Sequence, residues 1–214
     1  MEKSVEGQFK TLVRLSTTFF KDLKMDTGAY TSANPLKRYA FYHRMSSLLE
    51  IFPHDLDKNS IIVDFGAGQC MFSILLLSLG YRRVMSVDVD EDKLRQGLAL
   101  TRYYNQVLGT DFALQTYGEM PACEIDLVCA IDVFEHFSPA YAREVIRSAN
   151  APRYLLNLPS ENFLYNLGTG FHREPGHQTR YYEVVETFKD CGFGIVEKCG
   201  FLGLFHAYLM ERIG

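Results

Sequence analysis

The chain of 214 residues is short of several features, and each shortage excludes something. It has five cysteines (Cys70, Cys123, Cys129, Cys191 and Cys199) and no C-x-x-C pair. An odd set without paired spacing argues against a disulfide frame and against a zinc site, and fits buried free thiols in a reducing compartment. No apolar run approaches membrane-spanning length, since Ile74 to Leu79 is only a short helix. The start, Met-Glu-Lys-Ser, has no apolar signal core, so a cytoplasmic protein with no membrane span is expected. Positive charge is also lacking. The net charge is −4, and Lys37-Arg38 and Arg82-Arg83 are too short to make a basic face, so nucleic acid is an unlikely partner.

What is present is a foldable composition, with 47% apolar and 22% charged residues. The length supports a full core, read as a helical segment over 1–55 followed by one domain over 56–214. Val5 to Met25 has a mainly apolar face at helical spacing. A second helix runs from Pro35 to Glu50, with Asn34 as cap and Pro35 at its first position. Strands and helices then alternate. Strands are expected over Ser60–Phe65, Arg83–Val87, Phe112–Thr116, Ile125–Ile131, Tyr154–Leu158, Phe193–Lys198 and Leu204–Met210. Helices are expected over Gln69–Leu79, Glu91–Val107, Ala140–Ser148 and Tyr181–Cys191. That alternation implies an α/β fold with a doubly wound, mostly parallel sheet covered on both faces.

The turn after the first strand, Asp64-Phe65-Gly66-Ala67-Gly68-Gln69-Cys70, lets a ligand lie against backbone at a helix N-terminus. Asp88 ends the next strand, where a carboxylate can accept hydrogen bonds from both ribose hydroxyls. Together they point to a nucleoside-containing cofactor. The dinucleotide pattern G-x-G-x-x-G fails, because Met71 occupies its third glycine position. A Walker loop fails too, since no lysine follows the glycines.

An acid two positions before Gly-x-Gly resembles the first motif of the class I S-adenosylmethionine-dependent methyltransferases. Cys70 stands where that motif has its last glycine. The resemblance covers about Ser60 to Met210. It implies a seven-stranded Rossmann-like sheet with an antiparallel last strand, and S-adenosylmethionine as cofactor. It also implies that the N-terminal helices serve as a substrate lid. By the same resemblance, Asp64, Phe65, Gly66, Ala67 and Gly68 face the cofactor, with Asp64 orienting its ammonium group. Asp88 and Val89 hold the ribose, and Thr116 and Tyr117 (with Gln115 beside them) stand near the adenine. Asp132 lies by the methionine end.

Asp132-Val133-Phe134-Glu135-His136 resembles the E-V-L-E-H segment of the methyltransferase group that includes the ubiquinone-biosynthesis enzymes. Leu158 to Gly168 is similar to a P-x-E-N-x-L-Y segment of methyltransferases of glycan and cell-surface metabolism. The polar loop from Gly170 to Tyr181 supplies His172, Arg173, His177 and Arg180 as substrate-side candidates. Aromatic residues of the N-terminal helices, Tyr30, Tyr39, Phe41 and Tyr42, could wall a substrate pocket. The expected reaction is methyl transfer to a small-molecule (or glycan- or lipid-linked) acceptor at oxygen, with His136 or His177 as base. Two alternatives stay open. Asp132, Glu135 and His136 with His172 or His177 resemble the metal site of small-RNA 2′-O-methyltransferases, although metal is not the main expectation. The chain could instead be a non-catalytic module of the same fold, either cofactor-binding or partner-regulating. A nicotinamide oxidoreductase is disfavoured by Met71 and by the acid at position 64.

Overall fold

The computed structural model describes residues 4–24, 35–160, 176–201 and 203–214. Asn34, Tyr30, His172, Arg173 and the segment 161–175 lie outside the described residues. The elements in chain order are α1 (Val5–Asp22), α2 (Pro35–Glu50), β1 (Ile61–Phe65), α3 (Met71–Ser78), β2 (Arg83–Val87), α4 (Glu91–Leu108), β3 (Gln115–Tyr117) and β4 (Leu127–Ile131). A 3₁₀ turn (Phe134–His136) follows, then α5 (Pro139–Ala149), β5 (Arg153–Pro159), α6 (Tyr181–Asp190), β6 (Phe193–Phe201) and β7 (Phe205–Arg212).

The seven strands form one sheet in the order β3-β2-β1-β4-β5-β7-β6. Pairing is parallel from β3 through β5, and β7 runs antiparallel to both β5 and β6. The chain direction reverses outward from β1 and β4, which opens a crevice at their carboxyl ends, where ligands bind in sheets of this kind.

Alternation along the strands divides the core between the two faces. Ile62, Leu127, Cys129, Leu155 and Leu209 point to a cluster with α1 to α4. Val63, Val128, Ala130, Leu156 and Met210 point to a second cluster with α5 and α6. Helix α3 is buried on nearly every side, from Met71 to Leu77, which explains its unbroken apolar sequence. Leu12, Leu15 and Phe20 of α1 and Met45 and Leu48 of α2 belong to the same buried cluster as α3. The N-terminal helices therefore form part of the layer over the sheet.

Local signals set the helix ends. Ser4 Oγ caps α1 through Gly7 N–H, Asp90 caps α4 through Lys93 N–H, and Ser138 caps α5 through Tyr141 N–H ahead of Pro139. Strand β3 is shorter and later than the apolar pattern predicts. Phe112 is held by the Asn105 side chain, which accepts from its N–H at 3.0 Å and donates to its carbonyl at 3.0 Å. That contact draws the apolar run toward the end of α4, so only Gln115–Tyr117 reach the ladder. No helix among the described residues is long and apolar enough to cross a membrane.

Candidate active site

The turn after β1 is fixed on both sides. Gly66 N–H and Ala67 N–H both donate to the carbonyl of Val87 at the end of β2, at 2.8 and 3.0 Å. Gly66 (φ +71°) and Gly68 (φ +51°) lie in the left-handed region. A Cβ at Gly66 would overlap the Val133 side chain, whereas one at Gly68 would meet no protein atom within 4 Å. Cys70 is also left-handed (φ +58°) and fully buried. Room for its side chain comes from Gly97 of α4, where a Cβ would stand 2.5 Å from Cys70 Sγ. The cysteine in place of the last glycine is thus matched by a glycine on the next helix.

Asp88 stands beside the turn. Its Oδ2 accepts from Gly68 N–H at 2.8 Å and its Oδ1 from Asp90 N–H at 2.9 Å. A carboxylate oxygen has two lone-pair directions, so each oxygen retains accepting capacity toward a ligand. The turn and Asp88 open onto a cleft of about 600 Å³. Phe65, Gly66, Gly68, Asp88, Val89, Asp132 and His136, all singled out in the sequence, line it.

Other expected residues fall elsewhere. Thr116 and Tyr117 lie in β3 and do not line the cleft, and the next three residues, Gly118, Glu119 and Met120, do. The shift follows from the late start of β3, which moves its loop along the chain. Asp64 and Ala67 line a smaller cavity of about 190 Å³ behind the turn, with Arg44 and Asp132. Tyr42 lies in a groove between α1 and α2, with its hydroxyl 3.0 Å from Ser16 Oγ and 3.2 Å from Thr17 Oγ1. That places it away from the cleft, because α2 turns its Tyr42 side toward α1.

Asp64 is 2% exposed. Its Oδ2 accepts from Ser73 N–H at 3.1 Å and from Ser73 Oγ at 2.6 Å, tying the first turn of α3 to β1. Burial pushes its carboxyl up to about 6, against the opposing effect of the two Ser73 bonds.

Asp132 ends β4 with its backbone in the left-handed region (φ +53°), which is uncommon for a residue other than glycine. Its N–H donates to the carbonyl of Asn157 at 3.0 Å. Its Oδ2 is paired with Nη1 of the buried Arg44, and its Oδ1 is buried without a hydrogen-bond partner among the described residues. Arg44 carries no sequence signal of its own, since it stands on a helix 88 residues from its partner.

Just past Asp132, the 3₁₀ turn carries Glu135 (1% exposed) and His136. The strand of chain before α6 is fastened to it. Gln178 and Thr179 N–H both donate to the Glu135 carbonyl, at 2.8 and 3.1 Å, and Thr179 Oγ1 donates to the Phe134 carbonyl at 3.2 Å. These bonds bring the buried His177 edge-on against His136, with ring centres 4.7 Å apart. The donor atoms of Glu135, His136 and His177 all lie within 4.8 Å of one another. His136 Nδ1 is 3.3 Å from the Gly176 carbonyl. With Nδ1 as donor there, Nε2 keeps its lone pair. One carboxylate and two imidazoles form a donor set suited to a proton relay or to a divalent transition ion. Asp132 is turned toward Arg44 and is not one of this group.

No protein-family model matches the chain, and no curated protein matches it. Solved structures do. Magnesium protoporphyrin IX methyltransferase from Synechocystis PCC 6803 with bound SAH is similar over 95% of this chain and 100% of that one, at 19% identity and a TM-score of 0.68. The PH0226 protein from Pyrococcus horikoshii OT3 is similar over 84% and 94%, at 17% identity and a TM-score of 0.62. The methyltransferase domain of bacterial CtHen1-C is similar over 83% and 98%, at 15% identity and a TM-score of 0.57. With its strand order, its antiparallel β7 and a glycine turn over the crevice, the chain has the class I S-adenosylmethionine-dependent methyltransferase fold.

Proposed function

We propose that this protein transfers a methyl group from S-adenosylmethionine to an oxygen of a small-molecule (or glycan- or lipid-linked) acceptor. The observation that carries this reading is the continuity of one cleft. Its wall runs from the turn and Asp88 to Asp132 and on to His136. Nucleoside recognition and a proton acceptor therefore share a single space.

The cofactor, when bound, supplies an electrophilic methyl on a sulfonium, and transfer is an in-line displacement. The protein's part is to hold the two reactants in line and to remove the hydroxyl proton. Asp88 lines the cleft with accepting capacity left on both oxygens for a ribose diol, and Gly68 leaves the backbone bare for close approach. His136 faces the cleft with its ring set by the Gly176 carbonyl, which points to its Nε2 as the proton acceptor. His177 backs it at ring-contact distance, and Glu135 lies beside both, in position to stabilise the imidazolium. In this reading Gly118, Glu119 and Met120, rather than Thr116 and Tyr117, meet the adenine.

A second reading is favoured by the convergence of Glu135, His136 and His177. These residues would hold a divalent ion, which would lower the pKa of an acceptor hydroxyl. The CtHen1-C domain is named a methyltransferase domain, and HEN1, also similar in fold, a small RNA methyltransferase. An RNA 2′-hydroxyl is therefore the acceptor to test under this reading, although a net charge of −4 suits RNA poorly.

The deciding experiment is isothermal titration with S-adenosylmethionine and S-adenosylhomocysteine, with and without chelator, and with added Mn²⁺. Micromolar binding of both, unchanged by chelator, is expected. Lack of binding would overturn the methyltransferase reading and favour the partner module. Mn²⁺ binding that is abolished in His177→Ala would establish the metal-assisted reading instead.

A further inference from the structure

We propose that the groove between α1 and α2 is a binding site for a single-chain anionic amphiphile, a medium-chain carboxylate in its simplest form, separate from the candidate active site.

The groove follows from how the two helices meet. Phe9, Val13 and Thr17 stand four residues apart on α1 and so share one face. Tyr39, Tyr42 and His43 of α2 lie across from them. The Tyr42 hydroxyl is turned into α1, toward Ser16 and Thr17, which leaves its ring to the groove. The Tyr39 ring, 57% exposed, stacks on His43 with ring centres 5.4 Å apart and planes 9° apart. The floor is thus two apolar side chains of α1 and the aromatic rings of α2. The cavity holds about 380 Å³, within the ~300–1,000 Å³ usual for small-molecule sites.

The charge around this floor is of one sign. Lys10 and Arg14 stand one turn apart on α1, and Arg38 comes from α2. No Asp or Glu among the described residues lines the groove, in a chain whose net charge is −4. Arg14 is exposed and makes no ion pair among the described residues. Lys10 pairs with Glu6, but both side chains are 73% exposed, and a pair so exposed is weak enough for an anion at the rim to compete with it.

These features choose among occupants. A wholly apolar ligand makes no use of the cations, and a cationic head meets them with like charge. Phe9 to Thr17 spans ~12 Å of helix axis at ~1.5 Å per residue. About 380 Å³ over that length gives a section on the order of 30 Å², enough for one alkyl chain and far less than a partner helix ~10–12 Å across. A flat bilayer surface would meet the ridges of the helices and not the space between them. A carboxylate on one alkyl chain satisfies both parts, its chain on the apolar floor and its head at the basic rim. The site is also distinct from the cleft. Tyr42 and Arg44, two positions apart, lie on opposite sides of α2, and it is Arg44 that meets Asp132.

The test is calorimetric titration of dodecanoate, below its micelle concentration, into the native protein and into Arg14→Gln, Arg38→Gln and Arg14→Lys, with melting curves as folding controls. Arg14 is exposed, so its variants should fold as the native protein does. The native protein should bind one dodecanoate, and should bind dodecyltrimethylammonium, with the same chain and the opposite head, at least roughly tenfold more weakly. Arg14→Gln should lose roughly fivefold to tenfold in dodecanoate affinity, whereas Arg14→Lys, which keeps the charge, should lose less. No binding of dodecanoate, equal affinity for the two head groups, or an affinity unchanged in both glutamine variants would overturn the proposal. Binding to phosphatidylglycerol vesicles without binding of monomeric dodecanoate would overturn it in favour of a membrane-facing surface. Competition between dodecanoate and S-adenosylhomocysteine would place the amphiphile in the main cleft and overturn it as well.

Discussion

Asp88 closes a turn of the fold and, under the proposed function, serves the ligand as well. It closes the turn through Gly68 N–H and Asp90 N–H while facing the cleft. Asp88→Ala should weaken S-adenosylhomocysteine binding by about 1–3 kcal/mol, the usual scale for lost charge-assisted hydrogen bonds. Asp88→Asn, which keeps one acceptor, should lose less. Calorimetry on folded variants checks both, and an unchanged affinity in the alanine variant would remove the ribose assignment. The role of Asp88 is legible from its place at a strand end because its partners are close along the chain. The role of Arg44 is not. Nothing in the helix around it distinguishes a surface arginine from one buried against Asp132.

At the scale of the element, the glycine turn separates two constraints that the motif alone merges. Gly66 is required by the protein, since any Cβ there runs into Val133. Gly68 faces open space, so no protein contact requires its missing side chain, and under the proposed function the bare backbone is there for the ligand. Gly66→Ala, and more so Gly66→Val, should lower the melting temperature sharply. Gly68→Ala should fold with only about 1–2 kcal/mol lost to left-handed backbone strain, yet bind S-adenosylhomocysteine at least about tenfold more weakly. Melting curves together with titrations distinguish the two, and normal binding by Gly68→Ala would take this turn out of the site. The same turn shows how a motif tolerates a departure. Cys70 fits because Gly97 faces it from α4, a compensation 27 residues away that no local pattern announces. Strand β3 illustrates the reverse. Its apolar pattern is real, but Asn105 draws Phe112 aside, and the loop expected at Thr116 begins at Gly118.

For the molecule as a whole, the buried Asp64 gives stability a distinct pH dependence. Its carboxyl is raised from 3.8 to about 6 by burial. Between those values the folded state binds more protons than the unfolded chain, so this group's contribution to stability falls as pH rises through about 4 to 6 and is constant above. About two pKa units correspond to on the order of 3 kcal/mol. Asp64→Asn, which keeps an acceptor for Ser73, should abolish that slope. Denaturant unfolding of both proteins from pH 4 to 7 checks it. The gap in stability between variant and native protein should widen as pH rises, and a constant gap would show that Asp64 titrates normally.

The order of strands and helices, the doubly wound sheet, the glycine turn and Asp88 were determined by the sequence itself. Each depends on local chemistry: side-chain period, capping groups, backbone freedom and neighbours a few residues apart. Tertiary structure alone decided that α1 and α2 join the core with α3, that Tyr42 faces Ser16, and that Asp132 meets Arg44. It also decided that His177 comes to Glu135 and His136. Those meetings are set by how helices and loops pack over the sheet, which joins residues 26 to 88 positions apart and leaves no periodic trace in the chain.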